Sequence, residues 1–187
     1  GGMVLAAGIS ERMAGPLPKQ LLPLSGATLV AVTVRHAEAS RLDRVVVVTG
    51  HRSSEVAQAV TGGRARVVEN PDYRQGNITS FRVGATALAG CEACVILLAD
   101  MPDVTAAMID EMVTVWRRDR PWAAVASYWD RRAHPLLLSA AAMEEVCAAE
   151  GPKGVWRFLA AAPPGHVADV VFDRSMPADV NTAADYE

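Results

Sequence analysis

The chain has 187 residues, enough for one α/β domain with a sizeable core and too few for two ordinary ones. It is 51% apolar and 21% charged, with a formal net charge of −3 and acids and bases interspersed. That excludes a disordered chain and gives no broad cationic face for a nucleic-acid backbone.

The first apolar run, residues 3–6, predicts a strand buried on both faces. Directly after it come Leu5-Ala6-Ala7-Gly8, Ser10, Arg12 and then Lys19. A tight loop of small residues lets backbone N–H groups approach phosphate oxygens, and two cations can neutralise them. The pattern is neither G-x-G-x-x-G nor G-x-x-x-x-G-K-[ST], so neither dinucleotide oxidation nor P-loop hydrolysis is supported.

Helical spacing follows over 28–39, then a strand over 45–49, a helix over 54–61 with Ser53 as its cap, and a strand over 65–69. A helix over 78–88 behind Asn77 leads to a strand over 94–99, a helix over 105–118 capped by Thr105, and a strand over 123–128. Residues 139–162 read as helical with a break at Gly151-Pro152, and 166–172 as a last strand. No linker or repeat divides the chain, so residues 1–187 are read as one domain. Strict βα alternation predicts an α/β fold: a three-layer α/β/α sandwich around a mostly parallel, Rossmann-like sheet. Ligands of such sheets sit at the carboxyl ends of the strands.

Cys91, Cys94 and Cys147 are an odd number in a chain that needs no staples, which predicts free thiols and a reducing compartment, the cytoplasm. No second C-x-x-C or histidine pair completes a metal set with Cys91 and Cys94. No apolar run approaches the roughly 20 residues that span a bilayer, and the start lacks a cationic segment followed by an apolar one. Neither membrane nor nucleic acid is an expected partner. The four tryptophans are expected to pack rather than to stack on a ligand.

Leu97-Leu98-Ala99-Asp100-Met101-Pro102 is a buried strand ending in one carboxylate. A hard oxygen ligand in that place suits Mg²⁺, which takes one or two carboxylates together with substrate phosphates. Arg131, Arg132 and His134 follow the fifth strand, and a guanidinium fork matches the phosphate of an acceptor. Gly151-Pro152-Lys153-Gly154 reads either as a helix break or as an acceptor loop carrying a lysine.

Taken together, these motifs resemble the MobA/MocA-like nucleotidyltransferases, in particular the molybdenum cofactor cytidylyltransferase branch. Leu5 to Gly8 with Ser10, Arg12, Met13 and Lys19 is similar to that family's opening signature, and Asp100-Met101-Pro102 to its metal motif. Asn70-Pro71 with Gly76, Ser80 and Gly84, then His134-Pro135, then Asp179-Val180-Asn181-Thr182 continue the resemblance in order. The longer loop ending in Pro18-Lys19-Gln20 is closer to the cytidylyltransferase of the methylerythritol phosphate pathway, and Ala133 replaces the usual glycine before His134.

The resemblance implies a sheet of the nucleotide-diphospho-sugar transferase type and attack of a substrate phosphate on the α-phosphorus of an NTP, CTP favoured, with release of pyrophosphate. It further implies that Leu5, Ala6, Ala7, Gly8, Ser10, Asn70, Gly76 and Ser80 bind the nucleotide and that Arg12 and Lys19 meet its phosphates. Asp100 would hold Mg²⁺ with Asn181 or Asp179, while Arg132, His134 and Lys153 meet a phosphorylated acceptor of molybdopterin type. A molybdoenzyme or its maturation factors are the implied protein partners. Transfer to methylerythritol phosphate, a sugar phosphate or phospholactate, and an inactive nucleotide-binding module, are the alternatives.

Overall fold

The computed structural model describes residues 1–10, 17–149, 154–180 and 183–186, with the side chains of 183 and 184 left aside. Its centre is a seven-stranded sheet in which six strands run one way. Strands β1 (Gly2–Ala6), β4 (Val45–Thr49), β5 (Arg66–Glu69) and β6 (Ala93–Leu98) are mutually parallel, with β1 between β4 and β6. On the far side of β6 lie β8 (Arg132–Ser139), β7 (Ala123–Ser127) and β9 (Val167–Val171), in that order. β7 and β9 are parallel, and β8 is antiparallel to both of its neighbours. A small hairpin, β2 (Pro23–Leu24) and β3 (Ala27–Thr28), stands apart from this sheet.

The unbroken apolar runs of the strands follow from burial on both faces. In β4, Val45 and Val47 join one core while Val46 and Val48 join the other. The first core packs on α1 (Leu29–Ala39), α2 (Ser53–Ala59) and α4 (Ala106–Asp119), through Val30, Val34, Val56, Ile109 and Met112. The second packs on α3 (Asn77–Ala87), α5 (Ala140–Ala148) and α6 (Val155–Ala160), through Ile78, Phe81, Val146 and Leu159. A short α7 (Ala183–Tyr186) closes the chain. Successive side chains in each strand therefore need apolar contact on opposite sides, and alternation disappears.

The three-layer α/β sandwich expected from the sequence is present. The antiparallel β8 is the addition: Pro135 to Leu138 supply a buried apolar run between the strand expected over 123–128 and the helix expected from 139, where the sequence predicts no element. Helix ends also differ in detail. Thr28, Thr105 and Ser139 cap α1, α4 and α5 by accepting from backbone N–H groups three residues on. Ser53 instead opens α2, its hydroxyl 2.8 Å from Thr49 Oγ1, and Gly76 rather than Asn77 stands at the cap of α3.

The three cysteines are free thiols; Cys94 is fully buried and its pKa is pushed up to about 12 by that burial. Among the described residues no helix is long and apolar enough to cross a membrane.

Candidate active site

The chain leaves β1 toward β4 on one side and returns to it through β6 on the other. That reversal opens a crevice at the carboxyl ends of β1 and β6. Three backbone hydrogen bonds set its floor: Ala99 N–H to Leu5 O (3.1 Å), His51 N–H to Ala7 O (3.3 Å), and Asn70 N–H to Thr49 O (2.8 Å). The loops after four strands are thereby tied together.

Asp100 leaves β6 into this crevice and is mostly buried. Lys19, from the far end of the β1 loop, forms an ion pair with its carboxylate. The C-terminal segment folds back over the same point, where Val180 N–H donates to Asp100 O at 3.1 Å, so that Asp179 lies near enough to act on Asp100 electrostatically. Burial raises the Asp100 carboxyl above the ordinary carboxylate range; the Lys19 ammonium pulls it back, and the negative Asp179 pushes it up again. Two carboxylates brought together in a partly dry place need a cation.

Two hollows meet there. The smaller, about 250 Å³, is walled by Leu5, Ala6, Ala7, Gly8, Lys19, Gln20, Ser80 and Asp100. The larger, about 460 Å³, is walled by apolar side chains such as Phe81, Leu98, Met101 and Trp156, and by Arg131, Arg132 and His134. Leu5, Asn77, Leu98 and Asp179 belong to both walls, which makes the two hollows compartments of one cleft. Size alone does not pick out this place. A hollow of about 730 Å³ beside α1 and α2 and one of about 420 Å³ at the amino ends of the strands, by Gly1 and Arg44, carry none of the expected site residues.

Of the residues expected at the nucleotide, Leu5, Ala6, Ala7, Gly8 and Ser80 line the smaller compartment, and Ser10, Asn70 and Gly76 do not. Ser10 is spent inside the loop: with φ of 62° it receives Lys19 N–H at 3.0 Å and donates to Gln20 Oε1 at 3.2 Å. Asn70, 1% exposed, donates to Thr79 Oγ1 (2.8 Å) and Ser80 Oγ (2.9 Å) and accepts from Asp72 N–H (3.0 Å). It anchors the segment before α3, and Gly76, with φ of 110°, makes the turn into that helix.

Of the residues expected at the acceptor, Arg132 and His134 line the larger compartment. Arg132 is turned toward Asp169, with Nε 2.7 Å from Oδ1, and Arg131 toward Asp130 at 2.7 Å. His134 stands edge-on to Trp156 at 5.6 Å, and burial pulls its pKa down to about 4 although Asp179 opposes this. At neutral pH this ring is uncharged. Arg12, Lys153 and Asn181 lie outside the described residues.

Sequence reasoning missed three residues. Gln20 is 3% exposed and its Nε2 donates to Gly8 O (3.1 Å) and Ala6 O (3.3 Å), so one side chain braces the loop from inside. A polar residue opening the apolar run Gln20-Leu21-Leu22-Pro23-Leu24 was the signal that could have found it. Asn77 stands at the junction of the compartments, and Trp156 forms part of the wall of the larger one. Trp129, expected to pack, is 70% exposed and donates from Nε1 to Asp173 at 2.7 Å.

The donor set fits a divalent cation in one specific way. Among the described residues no group of three or more His, Cys, Asp or Glu side chains could hold a metal. Asp100 and Asp179 together offer the one or two carboxylates that Mg²⁺ accepts when phosphate oxygens complete its shell.

Comparison with known proteins points the same way. The family model for the MobA-like NTP transferase domain matches residues 2–167. The molybdenum cofactor cytidylyltransferase of Escherichia coli (strain K12) is 29% identical over 138 residues, 73% of this chain and 68% of that protein. Nicotine blue oxidoreductase of Paenarthrobacter nicotinovorans is 29% identical over 97% of this chain and 91% of its own length. Among solved structures, Rv0371c from Mycobacterium tuberculosis H37Rv superimposes with a TM-score of 0.83 and 30% identity, covering 99% of this chain and 93% of that one. A second structure of Rv0371c, in complex with manganese, gives 0.79 at 30% identity over 99% of this chain and 94% of that one. The chain belongs to the MobA-like NTP transferase family and is a nucleotidyltransferase of that type.

Proposed function

We propose that the protein transfers CMP from CTP to a phosphorylated small molecule, most closely a molybdopterin-type cofactor precursor, with release of pyrophosphate and with Mg²⁺ as cofactor. The observation that carries this reading is the Lys19–Asp100 pair in the smaller compartment, with Asp179, which belongs to both walls, beside it. Leu5 to Gly8 line the smaller compartment and Leu5 also the larger, so a nucleotide held along this loop would lie beside the opening between the two. The likeness to a cytidylyltransferase favours CTP, and that to a manganese complex favours a divalent ion.

Each residue then has a task. Loop amides beside Gly8 receive phosphate oxygens, and Lys19, with Arg12, places positive charge where the leaving pyrophosphate gathers negative charge. Asp100, with Asp179 or Asn181, holds Mg²⁺, whose contribution when bound is to neutralise charge on the reacting phosphates. His134, uncharged, is a single hydrogen-bonding group for the acceptor rather than a counter-ion. Arg132 and Lys153 supply positive charge at the acceptor's phosphate, Arg132 by leaving Asp169. A product of this kind would pass to a molybdoenzyme or its maturation factors.

Thermal stabilisation by CTP, GTP, ATP and UTP with Mg²⁺, followed by pyrophosphate release with molybdopterin, tests the reading. A ligand bound at 100 times its Kd adds about 2.7 kcal/mol to apparent stability. CTP is expected to give the largest shift and to release pyrophosphate. A GTP preference would overturn the choice of base. Redox turnover without any pyrophosphate, the outcome suggested by the relative named an oxidoreductase, would overturn nucleotidyl transfer.

A further inference from the structure

Lys19 is one of only two lysines in the chain, Lys153 being the other. Its side chain is 19% exposed and that of Asp100 11% exposed, so the pair is largely removed from water. Asp179 adds a second negative charge beside it. An ammonium is a compact point charge, close in use to a small cation and unlike the planar fork of arginine. Lys19 therefore stands at the carboxylate that a divalent ion would take.

Displacing Lys19 by a bare dication leaves a mostly buried ammonium next to a double positive charge, with only Asp100 and Asp179 among the described residues to balance them. If the dication arrives on a nucleotide, the polyphosphate both fills its shell and accepts Lys19. We propose that Lys19 is an exchangeable counter-ion: it keeps free divalent metal off Asp100 and moves to the phosphates when metal and nucleotide enter together. This rests on the assignment of Asp100 as metal ligand made above. The site would load the metal–nucleotide complex at far lower concentration than the metal alone, which displaces Lys19 only weakly.

The test is a titration of nucleotide-free protein with Mn²⁺, followed by the electron paramagnetic resonance signal of the free ion, for the native chain, Lys19→Met and Asp100→Asn. Lys19→Met is expected to bind Mn²⁺ at least about tenfold more tightly than the native chain. Equal or weaker binding by Lys19→Met overturns the exchange. Asp100→Asn separates the two ideas: Mn²⁺ binding that survives in it removes the metal assignment, whereas binding lost there but not strengthened by Lys19→Met removes the exchange alone. A measurement on the native chain guards against a misfolded variant. Acetylation of Lys19 by an amine reagent, mapped by mass spectrometry against Lys153 as internal reference, should rise several-fold when Mn²⁺ alone is raised to saturation, and an unchanged rate contradicts the exchange.

Discussion

His134 faces the larger compartment against Trp156, and its ring is held neutral by burial. In the unfolded chain it takes a proton near its ordinary value of 6.5, and in the folded one only near about 4. Between those values the unfolded state binds more protons, so His134's contribution is complete above 6.5 and is lost as pH falls toward 4, by then amounting to about 3 kcal/mol. His134→Asn should flatten the pH dependence of unfolding across this window, and the imidazole resonances of the native protein should stay those of the neutral ring at pH 5.5. An imidazolium already present at pH 6 would contradict the argument. Residue identity was the most legible layer of the sequence where charge does the work, as at Lys19 and Asp100, which the fold brings together from 81 positions apart. Gln20 was not legible, because its role consists of carbonyls 12 and 14 residues away that only the folded loop presents.

At the scale of elements, the site depends on how closely α3 and the β4 loop approach β1. Gly84 lets α3 lie on β1: a Cβ there would meet Met3 Cε and Sδ at 2.5 Å, the far end of a flexible side chain. At Gly50 a Cβ would meet Tyr73 Cβ at 2.6 Å and Ala7 Cβ at 2.8 Å, atoms fixed to backbone, one of them in the loop after β1. Gly50→Ala should therefore cost about 2 kcal/mol, roughly 4–8 °C in melting temperature, and weaken nucleotide binding. Gly84→Ala gains helix propensity of up to about 1 kcal/mol against its clash and should cost less. Melting curves of the two variants decide it, and the reverse order would be contradictory. Helix positions were legible from caps and periodicity, as at Thr28 and Thr105. The exact start of α3 was not, because the positive φ of Gly76 and the anchoring by Asn70 are consequences of tertiary contacts.

For the whole molecule, six co-directional strands deliver their carboxyl ends to one edge, and the cleft forms where β1 lies between β4 and β6. Continuous valine and leucine runs announced that sheet, since only strands covered on both faces need them. β8 gave no such notice. Its apolar run follows a short turn after β7 and enters the sheet against the common direction, a placement fixed by pairing with β6 and β7 rather than by its own composition. It is also what carries Arg132 and His134 to the cleft, so the acceptor side was read as residues without a place.

Whether Asp100 and Lys19 form the charged heart of a metal-assisted nucleotidyl transfer is tested most directly by pyrophosphate release from CTP and molybdopterin by Asp100→Asn beside the native chain, both saturated with Mg²⁺. Turnover is expected to fall at least about 100-fold while metal-free CTP binding changes only a few-fold. Undiminished turnover by Asp100→Asn would contradict that role.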